Sequence, residues 1–368
     1  MNKKILFFAF AGIFASAQAL FAQEFQGVRA NPDPLEERIC LNPEYIPNYR
    51  ELMRNIVETL KDYVRETKPD FLIIADGATE LLTRGEWENA LDELHRAEAA
   101  GAKTEDERYL LKLFSPEDLI PEGTPDRRYI QSLNAVLVTN AVCGKNALPD
   151  KTKKLLNEFG VSLLGAEHCK TEKEKNNALL SLAKQGIPAH TDTDAKGSFD
   201  FLPPDAVPFN ENVDNVLSLK DVKNMMIMTN SRRYASKGEW VDALSDTNYD
   251  LLIIDPFFKF SQPLTAEDVA RLRQKKIGAR RLVFAVLDVA VAEDTRPYWQ
   301  STWKLNDPAW LRFPDKENSA GTVADYWNSE WKRIVGIYFK SIMDMGYDGV
   351  VLKGLNRHKT FERIIPIT

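Results

Sequence analysis

Five carboxylates and one amine fall where apolar runs of strand length come to an end: Asp76, Glu167, Asp192, Asp255, Asp288 and Lys353. Carboxyl groups gathered at one rim can divide acid and base work between them. Each also has a plainer reading. Asp76 precedes Gly77 and Asp255 precedes Pro256, both common turn openings. Asp192 and Asp194 could cap the next segment, and Glu167 with His168 could be a solvated loop pair. Lys353, in "GYDGVVLKGLNRHKTF" (346–361), cannot do a carboxylate's work. It can pair with one of the acids and lower its pKa, bind an anionic substrate group, or, desolvated, form a Schiff base with a carbonyl. No serine nucleophile elbow, kinase set or phosphate loop is present. The four histidines, His95, His168, His190 and His358, lack metal-ligand spacing on a helix, so neither a metal nor a cofactor is called for. His190 falls on an expected strand and could face its end.

Bringing such residues together requires strands whose ends share one mouth. Continuously apolar runs recur at Phe71–Ala75, Ala135–Thr139, Val161–Gly165, Ile187–Thr191, Met225–Thr229, Leu251–Ile254, Val283–Leu287 and Gly349–Leu352. Runs without polar alternation suit parallel strands covered on both faces. Eight of them with helical spacers predict an α/β (β/α)8 barrel, with an open doubly wound sheet as the alternative. The order is unusual, because a helix comes first: Met53, Ile56, Val57, Leu60 and Val64 share one face. The last strand has only a short tail, so this opening helix would cover it, as in a circularly permuted barrel. We expect a signal peptide over 1–22, an extension over 23–44 and a single barrel over 45–368. Its halves, 45–194 and 216–368, would be joined by a long loop.

Lys3 and Lys4 precede an apolar run that ends in small residues at Ala17, Ala19 and Ala22, the pattern of a cleavable secretory signal. A secreted or periplasmic location follows, with no later apolar run long enough to span a membrane. The formal charge of −6 and the scattered basic residues argue against a nucleic-acid partner. Of the three cysteines, Cys143 and Cys169 lie at equal offsets from the starts of neighbouring strands, which points to a Cys143–Cys169 bridge. Two buried thiols are the alternative. Five of the seven tryptophans lie between 299 and 331. Trp327 and Trp331, four apart on a helix, read as core. Tyr298 and Trp299, shortly after Asp288, read as lining of a cleft.

Four stretches resemble the polygalactosaminidase-like family, glycoside hydrolase family 114. They are "KPDFLIIADGATELL" (68–82), "YDLLIIDPFF" (249–258), "FAVLDVAVAEDTRPYWQSTWKLNDPAWL" (284–311) and the lysine stretch at 346–361. The likeness covers most of the mature chain in swapped order, with segments similar to the family's second half first. It implies a secreted barrel that cleaves an amino-sugar polysaccharide. The family's strand-end aspartate falls on Lys353, a second acid on Asn356, and the first Glu of its Ser-Ile-Gly-Glu-Ala-Glu-Asp run on Val291; Glu293 and Asp294 remain. A further family Glu falls on Glu167.

Glycoside hydrolysis needs two carboxyl groups across the scissile bond, about 5–5.5 Å apart for retention and roughly 6.5–9.5 Å for inversion. We therefore expect an endo-acting, polygalactosaminidase-like site for an amino-sugar or acidic polysaccharide. Glu167 and Asp255 would be catalytic with Asp76 or Asp288 in reserve, and Lys353, Asp288, Glu293, Tyr298 and Trp299 would bind substrate. Lys353 in place of an aspartate sets this against two alternatives, a non-catalytic carbohydrate-binding barrel and, more distantly, a Schiff-base lyase.

Overall fold

A computed structural model describes residues 40–41, 47–100, 123–194, 197–202, 207–362 and 365–366. The expected signal sequence and most of the extension lie outside these residues. The core is one eight-stranded parallel sheet, built from β1 (Leu72–Asp76), β2 (Ala135–Thr139), β3 (Ser162–His168), β4 (Ala189–Asp192), β5 (Met225–Met228), β6 (Leu251–Ile254), β7 (Leu282–Asp288) and β8 (Gly349–Lys353). The hydrogen-bonded order is β4-β3-β2-β1-β8-β7-β6-β5. All chain neighbours but β4 and β5 are thus sheet neighbours, and first and last strands pair, so the sheet curls into a nearly closed barrel.

Two apolar layers explain the closure. Ile74, Leu137, Leu164, Ile227, Ile253, Phe284 and Val351 fill the interior. Their outward neighbours, among them Ile73, Val136, Leu252, Val283 and Val350, pack under the helices. Side chains alternate along each strand, and both sets are apolar in every strand but β4, so seven strands have apolar residues buried on both faces.

The helices are α1 (Tyr49–Thr67), α2 (Glu86–Ala99), α3 (Arg127–Ser132), α4 (Asp150–Glu158), α5 (Glu172–Lys184), α6 (Lys237–Ser245), α7 (Ala266–Leu272), α8 (Ser329–Asp344) and the short α9 (His358–Phe361). The Asn48 side chain caps α1 by accepting the Glu51 N–H. The predicted apolar face of α1 is buried. Tyr63 and Phe71 set their rings against Phe339 of α8, and Tyr49 stacks on Phe361. The opening helix therefore packs beside α8 and the chain's end, next to the β1–β8 pair, as the sequence order suggested. Arg54, fully buried on α1, binds Glu88 through two hydrogen bonds and the carbonyls of Leu81 and Thr83. Every donor it buries in this way is satisfied.

One side of the barrel is not laced. Among the described residues β4 and β5 share no backbone ladder. A hydrogen bond to a side chain crosses here, the Ile227 N–H donating to His190 Nδ1 at 3.4 Å. The connection between these strands contains only a 3-10 turn, Leu219–Asp221, among its described residues. It crosses the mouth at Phe199 and seals the floor with Val216, Leu219 and Val222. A buried Lys275–Asp250 pair at 2.6 Å, joined by Asn212, fixes that floor. No helix of the described residues is long and apolar enough to cross a membrane.

Candidate functional site

The interior positions of three adjacent strands end in polar groups. Asp288 follows Phe284 and Val286, Lys353 follows Val351, and Asp76 follows Ile74. Alternation therefore aims all three side chains at the mouth. Register sets them level, with Asp288 paired to Lys353 and Leu352 to Ala75. No carboxylate of the described residues lies within ion-pair distance of the exposed Lys353 amine. Asp288 Oδ1 accepts the N–H groups of Ala290 and Val291, at 2.9 and 2.8 Å. Burial pushes its carboxyl up to about 6, against the opposing pull of those N–H groups and of Lys353. Burial also raises Asp76, again opposed by Lys353. Gly354 makes this arrangement possible. Its φ is +78°, and a Cβ there would lie 2.2 Å from Asp288 Oδ1.

Asp255 and Glu293 are committed elsewhere. Asp255 is buried and holds Arg296 by two 2.8 Å hydrogen bonds, and the Arg296 Nε also donates to Glu293. Those two carboxylates hold the buried guanidinium firmly charged. Asn318 completes the Glu293 pairing at 2.7 Å. The expected catalytic role for Asp255 and substrate-binding role for Glu293 thus meet groups whose acceptor oxygens are already taken. Tyr298 accepts the Glu293 N–H at its hydroxyl and packs edge-on against Trp331 and Tyr338. With Gln300, Trp303, Arg333, Ile337 and Tyr338 it lines a groove of about 170 Å³ along α8. Trp299 packs edge-on against Trp303, which takes the groove position in its place. Trp331 is core, as expected.

Glu167 departs furthest from its expected place. It follows Leu163 on the outward-facing set of β3, not the interior set of Leu164 and Ala166. Fully buried, it accepts the N–H groups of Val142 and Cys143 at 3.1 and 2.8 Å. Its carboxylate organises the turn after β2 and does not reach the mouth. Beside it Cys143 and Cys169 are bridged, their Cα atoms 5.2 Å apart.

The sequence reading missed a cluster at the ends of β3 and β4. His168 Nδ1 lies 2.7 Å from Asp192 Oδ1, and His190 Nε2 lies 3.2 Å from Asp192 Oδ2. Burial raises the Asp192 carboxyl, but its hydrogen bonds to both imidazoles outweigh that and hold it well below the usual range. Phe199, at a φ of +46°, lays its ring over both histidines, with centroids 4.8 and 5.5 Å away. The spacing His190-x-Asp192 was the available signal, since alternate strand residues share a face. No group of described residues has the makings of a metal site.

No family model matches the chain. Over 145 residues it is 27% identical to the uncharacterized protein MJ1477 of Methanocaldococcus jannaschii, a match covering 38% of this chain and 41% of that one. It is also similar to an uncharacterized protein of Deinococcus radiodurans, 30% identical over 112 residues, or 30% of this chain and 35% of the other. A third relative, an uncharacterized protein of Thermotoga maritima, is 37% identical over 68 residues, 18% of this chain and 21% of its own. The chain thus spans less than half the length of each of these curated relatives.

Proposed function

We propose that this chain is a glycosidase-type barrel that takes a polysaccharide across its mouth, with Asp288 as the proton donor and Asp76 as the second carboxylate. One observation carries the reading: three neighbouring strands present Asp288, Lys353 and Asp76 side by side, none in an ion pair among the described residues. Structural charges in a folded barrel are ordinarily spent on each other, as Asp255 is on Arg296. Strand spacing separates the Asp288 and Asp76 backbones by about 10 Å, two steps of ~4.8 Å. That leaves room for a water beneath the sugar, as inverting hydrolysis requires. Asp288, titrating near 6, keeps a usable protonated fraction near neutral pH. The two unspent carboxylates outnumber Lys353, which favours amino-sugar units over acidic ones. Lys353 would then hold a ring hydroxyl.

The basic-then-apolar opening and the Cys143–Cys169 bridge support a secreted or periplasmic site of action. The resemblance to glycoside hydrolase family 114 in swapped order supports a circularly permuted origin. So do helix α1 beside the last strand and matches confined to less than half of each relative. Incubating the purified protein with glucosamine and galactosamine polymers should release new reducing ends, and Asp288→Asn and Asp76→Asn should each abolish release. Turnover retained in both variants would remove the proposal. The engagement of Asp255 and Glu167 by structural partners favours a second reading, carbohydrate binding without cleavage. Saturable affinity with no reducing ends in any variant would select it. Borohydride trapping of Lys353 on a keto sugar would instead select lyase chemistry.

A further inference from the structure

We infer that the β3–β4 side of the mouth is a second sugar subsite, filled in this structure by the chain's own Phe199. The inference rests on the polysaccharide reading above and extends it to the other side of the mouth.

His190 Nδ1 accepts the Ile227 N–H, so its proton sits on Nε2 and is donated to Asp192. That imidazole is fully spent, locked between β5 and the carboxylate. His168 differs. Its Nδ1–H donates to Asp192 Oδ1, which leaves a lone pair on Nε2. Nε2 makes no hydrogen bond among the described residues. A carboxylate behind the ring strengthens that lone pair as an acceptor, and orients it. The group it would suit is a donor: a sugar hydroxyl or an ammonium.

The chain backs closely onto Nε2, at a position that only glycine fits. Gly197 has a φ of +60°, and a Cβ on it would come within 3.0 Å of His168 Nε2. The same segment covers the two imidazoles with an aromatic ring, so a ligand would displace Gly197 and Phe199 together. Phe199 adopts a positive φ, a conformation that bulky side chains avoid. Its carbonyl accepts the Asn230 N–H just past the end of β5, and Asp200 next to it pairs with Arg233. A strained aromatic held over two imidazoles at a barrel mouth marks a place shaped for a ring. A pyranose offers the same flat apolar face, and adds the donors that Nε2 lacks.

A polymer reaching both His168 on β3 and Asp288 on β7 would have to run across the whole mouth, as an internal-cleaving cleft demands. The test uses the full chain, a glucosamine hexamer and histidine-resolved NMR with calorimetry. The hexamer should shift the His168 imidazole signals. Phe199→Ala should tighten binding by about tenfold, because the internal competitor is gone. His168→Asn keeps a donor for Asp192 but has no Nε2, and should weaken binding by about tenfold. Hexamer affinity lost in Lys353→Met while His168 stays unmoved would overturn the subsite and spare the proposed function. Weaker binding in Phe199→Ala would overturn self-occupancy. No binding by any form would overturn both.

Discussion

Asp288 should make the protein less stable as pH rises, and Asp288→Asn should remove that dependence. Its carboxyl is raised in the folded protein from an ordinary 3.8 to about 6. Between those values the folded state holds a proton that the unfolded chain has released. Stability therefore falls as pH rises through this window and levels off above it. The full difference corresponds to about 3 kcal/mol, and partial contact with water reduces this to about 2 kcal/mol. Asparagine preserves the oxygen that accepts the Ala290 and Val291 N–H groups, so the turn after β7 is retained. Urea unfolding of both proteins from pH 4 to pH 8 reads the difference directly. The variant should match the native protein near pH 4 and exceed it by about 2 kcal/mol at pH 7–8. A difference that stays constant across the range would refute the burial argument, and with it the choice of Asp288 as proton donor.

Other perturbations separate structural from functional charges. Arg296→Met strands the buried Asp255 and should cost about 3–5 kcal/mol in urea unfolding, with Asp255→Asn in the same background restoring part of it. Glu167→Gln should lower stability by about 1–3 kcal/mol, while any reducing-end activity persists. Replacing Cys143 and Cys169 by serine opens a link between residues 26 apart and should cost about 3–4 kcal/mol, seen as a lower urea midpoint without reductant. Gly354→Ala drives a Cβ into Asp288 and requires a left-handed backbone, so it should impair both thermal stability and sugar affinity.

The strands were legible because a parallel barrel strand is apolar on both faces. Ala135–Thr139 and Leu251–Ile254 match the observed bounds, and the others differ by one to three residues at an end. The same property hid the site. A run such as "LLGAEH" carries no alternation, so nothing in it tells whether Glu167 or His168 faces inward; a shift of one residue exchanges them. The pairing of Asp255 with Arg296, 41 residues away, depends on how the loop after β7 folds back. Tyr298 was expected in a cleft and does line a groove, but its neighbour Trp299 packs against another ring, since helix α8 is near enough to gather the aromatics. Lys353 stood out in sequence because a charge ending an apolar strand has few places to go except the open end.

The unlaced seam has its own consequence. Each half of the wall is a four-stranded shell, and among the described residues backbone ladders stitch the two together along β1 and β8 only. Amide protons on the facing edges of β4 and β5 should exchange with deuterium well before those of β1 and β8. Supplied as two separate polypeptides, the shells would meet again along that one stitched edge, which makes this barrel a natural choice for split-protein reassembly.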